Sequence, residues 1–109
     1  MIVIVAPGQG SQTPGFLEPW LDLEGAREQL GAISDAVGID LVAHGTTSDA
    51  DTIRDTKVAQ PLIVAAGLLT LSSLFADGRL VNVGGVAGHS VGEVTAAAAA
   101  GILSDTDAV

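Results

Sequence analysis

Apolar residues open the chain in an unbroken run from Ile2 to Ala6, which Pro7 and Gly8 end. A short run of this kind, rich in β-branched side chains, is typical of a strand buried on both faces in a parallel sheet. Residues 80–87 are rich in valine and predict a second strand, although two glycines weaken the pattern. We therefore predict an α/β fold in which parallel strands are flanked by helices.

Between these strands the apolar positions recur at helical spacing. In residues 23–37 they lie three or four residues apart, from Leu23 onward, which predicts an amphipathic surface helix that Gly38 ends. Before it, Phe16 and Trp20 are expected to pin the preceding loop to the core. Two short acidic stretches predict helical pieces of one or two turns, at residues 40–44 and 49–54.

A longer segment, residues 56–75, is apolar on almost every side. It predicts a helix that Thr56 caps, that carries Pro61 in its first turns and that is buried in the middle of the fold. Residues 93–100 are dominated by alanine, a strong helix former whose small side chain lets a neighbouring element approach closely. Ser104 and the acidic residues after it have the pattern of a helix start, and the chain stops just as that helix begins. Two parallel strands are also a thin sheet, so we expect the chain to be the N-terminal part of a larger fold.

The composition excludes several classes of protein. The 109 residues include 4 basic against 13 acidic side chains, a formal charge of −9, and no basic stripe is available for a nucleic acid. Hydrophobic residues make up 48% of the chain, which favours one folded core over disorder. Without cysteine, no disulfide or thiolate site is possible. The N-terminal apolar run is too short for a signal core or a membrane span, so we expect a soluble, cytoplasmic protein with no membrane partner.

The most informative motif is G-x-S-x-G at residues 88–92, after the second predicted strand and before the alanine-rich helix. This context is what a nucleophile elbow requires, since a tight strand-to-helix turn projects the Ser90 hydroxyl from the carboxyl edge of the sheet. The helix start would supply the Val91 N–H as an oxyanion donor. Alternatively, the glycines only form a turn and Ser90 is an ordinary helix N-cap. The flanking strand and helix favour the nucleophile.

A second glycine-rich loop, residues 7–15, follows the first strand. It begins G-x-G like a dinucleotide fingerprint, but Thr13 stands where the third glycine belongs, and the chain has no Gly-Lys-Ser/Thr phosphate loop. A loop after a neighbouring strand can direct a backbone N–H at the elbow serine, and Gln9 is the candidate for that donor. The alternative is a purely structural turn.

The remaining polar residues give weaker signals. His89 is a poor general base for Ser90, because adjacent residues at a sharp turn point in different directions. His44 has no partner motif, and we interpret it as a partly exposed histidine at a helix end. Gln60, at the head of the buried helix, is either a buried hydrogen-bonding residue or a polar group lining the pocket. The aspartates lack metal-loop spacing, which predicts a solvated acidic surface and no metal site.

Three stretches together resemble the malonyl-CoA:acyl carrier protein transacylase family: PGQGSQ at residues 7–12, Thr56 with AQP at residues 59–61, and GHSVGE at residues 88–93. Their order and spacing match as well, and the GQGSQ and GHSVGE pieces in combination are far more specific than either alone. The resemblance covers the whole chain but only about the first third of the family's catalytic domain. It implies that residues 1–109 are the incomplete N-terminal part of a single acyltransferase domain.

The resemblance implies an α/β-hydrolase-like core, with a small ferredoxin-like subdomain that is not in this chain. It also implies ping-pong acyl transfer, in which Ser90 attacks the malonyl thioester of coenzyme A and the phosphopantetheine thiol of acyl carrier protein then takes the malonyl group. No bound cofactor is expected. Gln9 and Val91 would supply the N–H groups of the oxyanion hole, and Gln60 and His89 would lie near the substrate.

The resemblance places two further groups beyond Val109: the arginine that binds the malonyl carboxylate and the histidine that pairs with the serine. The chain alone is therefore expected to be inactive, with the remainder of its own domain as a partner. Two other functions stay open. One is a serine esterase or thioesterase that uses the same elbow with water as the acceptor, and the other is a non-catalytic fragment that associates with a carrier protein or with its own domain.

Overall fold

The sheet has two parallel strands in the part of the chain that the computed structural model describes, residues 2–75 and 83–99. β1 (Ile2–Ala6) pairs with β2 (Val83–Gly88), and one register irregularity follows Ile2. Ala6 pairs with Gly88, so both strands reach their carboxyl ends at the same edge of the sheet. The predicted α/β class with parallel strands is confirmed.

Helices occupy most of the remaining described chain. A short 3₁₀ helix (Glu18–Asp22) follows the glycine loop. The described α-helices are α1 (Ala26–Val37), α2 (Leu41–Thr46), α3 (Ala50–Arg54), α4 (Thr56–Phe75) and α5 (Gly92–Ala99). α5 contacts both strands, so it lies directly on the sheet. Within the described ranges, no helix has the length and hydropathy that crossing a bilayer requires.

The core forms around α4, as its apolar sequence predicts. Residues 62–66 of this helix are all buried, and α1, α2, α3 and α5 each contact it. The neighbouring helices contribute large side chains that are almost completely buried: Leu30, Leu41 and Ile53. α4 lacks a polar face because other helices surround it.

The segment between the glycine loop and α1 is fixed to this core. Phe16 and Trp20 are partly buried and pack against the core cluster, and Leu17 is 1% exposed. The Leu17 N–H also donates to the Gly45 carbonyl at 3.1 Å, which joins this segment to α2. The expectation that the two aromatic side chains pin the loop is confirmed.

On this segment one prediction needs correction and one element was not predicted. Leu23 is not part of the first helix and is 45% exposed, because α1 begins only at Ala26. The residue before α1 is Gly25, whose left-handed φ of +80° interrupts the helical path. The 3₁₀ helix at Glu18–Asp22 was not predicted, since it is too short to produce a hydrophobic period.

Asp55, not Thr56, caps α4. The Asp55 carboxylate accepts the Lys57 N–H at 3.0 Å, and its carbonyl accepts the N–H groups of residues 58 and 59. An aspartate carboxylate is at least as good a cap as a threonine hydroxyl, and here it precedes the first helical residue. The Thr56 hydroxyl instead accepts a hydrogen bond from Gln9 in the glycine loop, at 3.3 Å.

The alanine-rich α5 packs closely on α4, but the residue that permits the observed approach is a glycine of α4 and not an alanine of α5. A Cβ at Gly67 of α4 would lie 2.6 Å from Thr95 Cγ2 of α5, so the missing side chain at Gly67 permits this approach. Thr95 is buried, and its hydroxyl has no hydrogen-bond partner among the described residues. Several predicted features lie outside the described residues: residues 80–82 of the second strand, Ala100 at the end of the last helix, and the helix start at residues 104–109.

One face of β1 is exposed in the described structure, which differs from the burial on both faces that its apolar sequence predicts. Val3 is 52% exposed and Val5 71%, whereas Ala6 is buried. Alternate residues of a strand point to opposite faces, so Val3 and Val5 share one face of the sheet. The described helices therefore leave an apolar strip of β1 uncovered.

Gly45→Ala and Gly31→Ala are expected to change stability in opposite directions. Both glycines are helical, but a Cβ at Gly45 would lie 2.9 Å from Leu17 Cβ, whereas one at Gly31 would meet nothing within 4 Å. We expect Gly45→Ala to lower the free energy of unfolding by about 1–3 kcal/mol through overpacking. Gly31→Ala is expected to raise it by about 0.5–1 kcal/mol through helix propensity.

Urea denaturation of the two variants and the wild-type protein measures both effects. Equal stabilisation by the two substitutions would show that the contact between α2 and Leu17 is not as close as the structure has it.

Candidate active site

Ser90 lies at the turn between β2 and α5 in a strained backbone conformation. Its φ is +57°, and no other non-glycine residue in the described ranges has a positive φ. Such a conformation costs a residue with a side chain about 1–3 kcal/mol and persists only where the surrounding structure imposes it. Ser90 is also exposed. The strand, the sharp turn and the helix that the sequence predicts around this serine are all present.

The two glycines of the motif allow close backbone contacts. A Cβ at Gly88 would overlap the Gly92 carbonyl group, and a Cβ at Gly92 would overlap the Ala6 carbonyl group and lie 2.7 Å from the Pro7 carbonyl oxygen. These neighbours are backbone atoms, so no side-chain rotation can relieve the overlap. The glycines therefore let β1, β2 and α5 meet beside Ser90.

Backbone hydrogen bonds fix the turn. The His89 N–H donates to the Ala6 carbonyl at 3.1 Å, which joins the turn to the end of β1. The N–H groups of residues 92, 93 and 94 donate to carbonyls three residues earlier, at 2.9–3.1 Å. The Val91 N–H, in contrast, has no acceptor among the described residues. It directly follows Ser90 at the positive end of the α5 dipole, where a developing negative charge is stabilised.

The glycine loop at residues 7–15 packs against this turn at Gly8. A Cβ there would lie 2.6 Å from the His89 carbonyl oxygen and 3.3 Å from Ser90 Cβ, so the loop could not approach as closely with a larger residue. The following N–H, that of Gln9, has no acceptor in the described part of the chain. Val91 directly follows Ser90, and Gln9 directly follows Gly8, which packs against the elbow. The structure thus brings both N–H groups that are predicted as donors close to Ser90.

Side chains of the loop hold its backbone, an arrangement that was not predicted from the sequence. Ser11 Oγ donates to the Gly8 carbonyl at 3.0 Å, and Gln12 Oε1 accepts the Gly10 N–H at 2.8 Å. Serine hydroxyls commonly bond to backbone carbonyls a few residues earlier. The polar residues that follow the loop glycines were the available signal for these bonds.

The loop is also anchored to the junction of α3 and α4. Gln12 Nε2 donates to the Ile53 carbonyl at 3.0 Å, and Gln9 Nε2 lies 3.4 Å from the Arg54 carbonyl. These partners are more than 40 residues away in the sequence, so only the folded chain brings them together. The core helices therefore help to set the position of the loop beside Ser90.

Gln60 lines a cavity beside the elbow. The cavity has a volume of about 400 Å³, with Gln60 and Pro61 of α4 on its lining together with Val91 and Val94. Gln60 is exposed, so the interpretation as a buried hydrogen-bonding residue is wrong. Its position as a polar group facing a pocket follows from the packing of α4 next to α5.

Neither histidine forms a hydrogen bond with Ser90 within the described structure. His89 is exposed, and its Cδ2 faces the glycine loop, 3.2 Å from a Cβ built on Gly8. His44 lies in the last turn of α2 with Nδ1 2.9 Å from Ser48 Oγ, as expected of a helix-end histidine. Among the described residues, no group of three or more side chains is placed to hold a metal ion. The described part of the candidate site consists of an exposed serine, two backbone N–H groups that have no acceptor among the described residues, and a cavity on whose lining Gln60 lies.

The sequence matches a known family. The family model described as "Acyl transferase domain" matches residues 3–109, which include both glycine motifs and the whole of α4. The chain belongs to the acyl transferase domain family. The resemblance inferred from the three motifs is confirmed at the level of the family.

Relatives of this acyl transferase chain share both its sequence and its structure. Malonyl CoA-acyl carrier protein transacylases of Mycobacterium bovis and Mycobacterium tuberculosis are 54% identical to it over 112 residues, which is 100% of this chain and 36% of each relative. The crystal structure of MCAT from Mycobacterium tuberculosis matches with a TM-score of 0.95 at 52% identity, over 99% of this chain and 36% of that one. The chain therefore spans about a third of the length of the relatives it matches.

A further match is a complex. The structure titled "PlMCAT:AntF (holo): type II PKS acyl-carrier protein in complex with its malonyl-transacylase" has a TM-score of 0.89 at 29% identity and covers 97% of this chain and 34% of that one. Its mixed arrangement of parallel strands and helices is shared by this acyl transferase chain.

Replacement of Ser90 by glycine is expected to give a more stable protein than replacement by alanine. Both variants lose the hydroxyl, but only glycine adopts a φ of +57° without a steric cost. We expect the free energy of unfolding of Ser90→Gly to exceed that of Ser90→Ala by about 1 kcal/mol. Urea denaturation of the two variants measures the difference.

Ser34, in the regular helix α1, provides a matched control. There Ser34→Gly is expected to be less stable than Ser34→Ala by about 1 kcal/mol, because glycine is a poor helix former. The same order of stabilities at both positions would contradict a strained Ser90.

Proposed function

We propose that this chain is the serine-bearing part of an acyltransferase that moves a malonyl group from coenzyme A to the phosphopantetheine thiol of acyl carrier protein. The observation that carries the proposal is Ser90, held at a φ of +57° between β2 and α5 in a chain 54% identical to malonyl CoA-acyl carrier protein transacylases. An exposed serine at a strand-to-helix turn suits a reaction that passes through a covalent acyl-serine.

The transfer proceeds in two steps. Ser90 Oγ first attacks the carbonyl carbon of the malonyl thioester while a base takes the hydroxyl proton, and the carbon–sulfur bond then breaks to release coenzyme A as its thiol. The phosphopantetheine thiol next attacks the malonyl-serine ester, and Ser90 regains its proton as it leaves. Each step passes through a tetrahedral oxyanion, so the donors beside Ser90 act in both.

The backbone N–H groups of Gln9 and Val91 form the oxyanion hole in this proposal. Two observations support this assignment. Neither N–H group has an acceptor among the described residues, and both adjoin the elbow, Val91 directly and Gln9 through Gly8. One donor of this kind stabilises a transition state by about 3 kcal/mol. In this proposal Gln60 and His89 lie near the substrate. The support is that Gln60 lines the cavity next to Val91 and that His89 is part of the elbow.

We further infer that residues 1–109 form the N-terminal part of one acyltransferase domain with an α/β-hydrolase-like core. The exposed face of Val3 and Val5 supports this inference, because parallel sheets are normally covered on both faces. The rest of the domain, including a ferredoxin-like subdomain, would cover this face. It would also contribute the histidine base, since no described histidine bonds to Ser90, and the arginine that binds the malonyl carboxylate.

Acyl carrier protein is the proposed acceptor. Support comes from the related malonyl-transacylase that is recorded in complex with an acyl-carrier protein. The net charge of this chain is −9, so electrostatic steering of a carrier with acidic surface would depend on basic residues outside this segment.

Incubation of the intact protein that contains this chain with malonyl-CoA is expected to add one malonyl group, on Ser90. The ester forms because Ser90 is the nucleophile, and Ser90→Ala removes it. Intact mass spectrometry followed by peptide mapping locates the adduct. Ser73→Ala, which deletes a hydroxyl in α4 away from the elbow, should be labelled like the wild-type protein.

Addition of phosphopantetheinylated acyl carrier protein should then discharge the label to the carrier. A label that water removes equally fast with or without carrier would assign the protein to the serine hydrolases. An intact, folded protein that malonyl-CoA never labels would refute the transacylase function.

A further inference from the structure

The geometry points to Ser11 as the residue that positions the Gln9 N–H in the oxyanion hole. This inference rests on the proposed function, because it concerns the acylation of Ser90. Ser11 Oγ donates a hydrogen bond of 3.0 Å to the carbonyl oxygen of Gly8. That carbonyl and the Gln9 N–H belong to one peptide group, so a bond that holds the first also orients the second.

Peptide geometry makes this coupling direct. A trans peptide group is planar, and its C=O and N–H bonds point in opposite directions. Gly8 has no Cβ to restrict its own backbone dihedrals, so without a partner the plane after it would rotate easily. Because the Ser11 hydroxyl holds the carbonyl on its own side, the Gln9 N–H is directed away from Ser11, where it has no acceptor among the described residues.

The peptide group that Ser11 holds is next to the nucleophile. A Cβ on Gly8 would lie 3.3 Å from Ser90 Cβ and 2.6 Å from the His89 carbonyl oxygen. A small rotation of this plane would therefore turn the N–H away from the place where the oxyanion of the tetrahedral intermediate forms on the way to the acyl-serine. The hydrogen bond from Ser11 also polarises the amide, which makes its N–H a stronger donor.

Gln12 acts on the loop differently. Its side chain accepts the Gly10 N–H at 2.8 Å and donates to the Ile53 carbonyl at 3.0 Å, so it holds the next peptide group and ties the loop to α3. A residue that only braces the loop changes the stability of the protein. A residue that orients the donor changes the acylation rate of correctly folded molecules, so the two roles are separable by experiment.

The test measures the rate constant for single-turnover acylation of the intact protein by malonyl-CoA, with rapid quench to stop the reaction at each time point. We expect Ser11→Ala to lower the acylation rate constant at saturating malonyl-CoA by about tenfold, less than the 10²–10³ that follows complete loss of a donor. The dissociation constant for malonyl-CoA should stay within about twofold, because the ground state does not need the oxyanion donor. The amplitude of acylation, which counts the folded sites, should not change.

Three variants complete the comparison. Ser11→Thr keeps the hydroxyl and should retain most of the wild-type rate. Ser11→Cys carries a weaker donor of similar size, so its acylation rate constant should lie between those of Ser11→Ala and Ser11→Thr. This variant serves as the test if Ser11→Ala does not fold. Ser73→Ala removes a hydroxyl that donates to the Leu69 carbonyl at 3.2 Å in α4, and its acylation rate should match that of the wild-type protein.

An acylation rate constant that Ser11→Ala leaves unchanged, with or without a loss of thermal stability, would overturn the inference. So would a tenfold weaker affinity for malonyl-CoA with the rate constant preserved. If wild-type Ser90 is not acylated at all, the proposed function itself fails. A labelled wild-type protein with an unaffected Ser11→Ala variant would refute the role of Ser11 alone.

Discussion

Close backbone contact at three glycines is the constraint on which the site depends. Gly92 lies against the carbonyls that end β1, Gly88 lies against Gly92, and Gly8 lies against the elbow. A side chain at any of these positions would force β1, the glycine loop and α5 apart. The strain at Ser90 persists because these contacts leave no room for its backbone to relax.

The helical core helps to hold in place the carboxyl edge of the sheet, where Ser90 lies. α4 is surrounded by other helices, and its N-terminal junction with α3 receives the side chains of Gln9 and Gln12 from the glycine loop. α5 is held against the middle of α4, because Gly67 lets it pack closely there through Thr95. A strain of about 1–3 kcal/mol at one serine is small beside the burial of a helix such as α4.

The sequence predicts those parts of the molecule that depend on local pattern. The strand before Pro7, the apolar α4 and the glycine turn around Ser90 each follow from a run of neighbouring residues. The cap of α4 was misplaced by one residue because Asp55 and Thr56 are both good capping residues, and the choice depends on where the chain enters the helix. The contacts of Gln9 and Gln12 were not predicted, since their partners are more than 40 residues away.

The parallel register explains why two local motifs form one site. Each motif follows the carboxyl end of a strand, and the pairing of Ala6 with Gly88 places those ends side by side. A shift of the register by one residue would move the glycine loop about 3.3 Å along the elbow and turn the alternate side chains of β1 to the opposite face. Because backbone N–H groups come with the turns themselves, oxyanion stabilisation can be encoded in two short glycine motifs. Under the proposed function, the base that takes the Ser90 proton is a side chain with no such local origin, so the sequence around Ser90 predicts the donors but not the base.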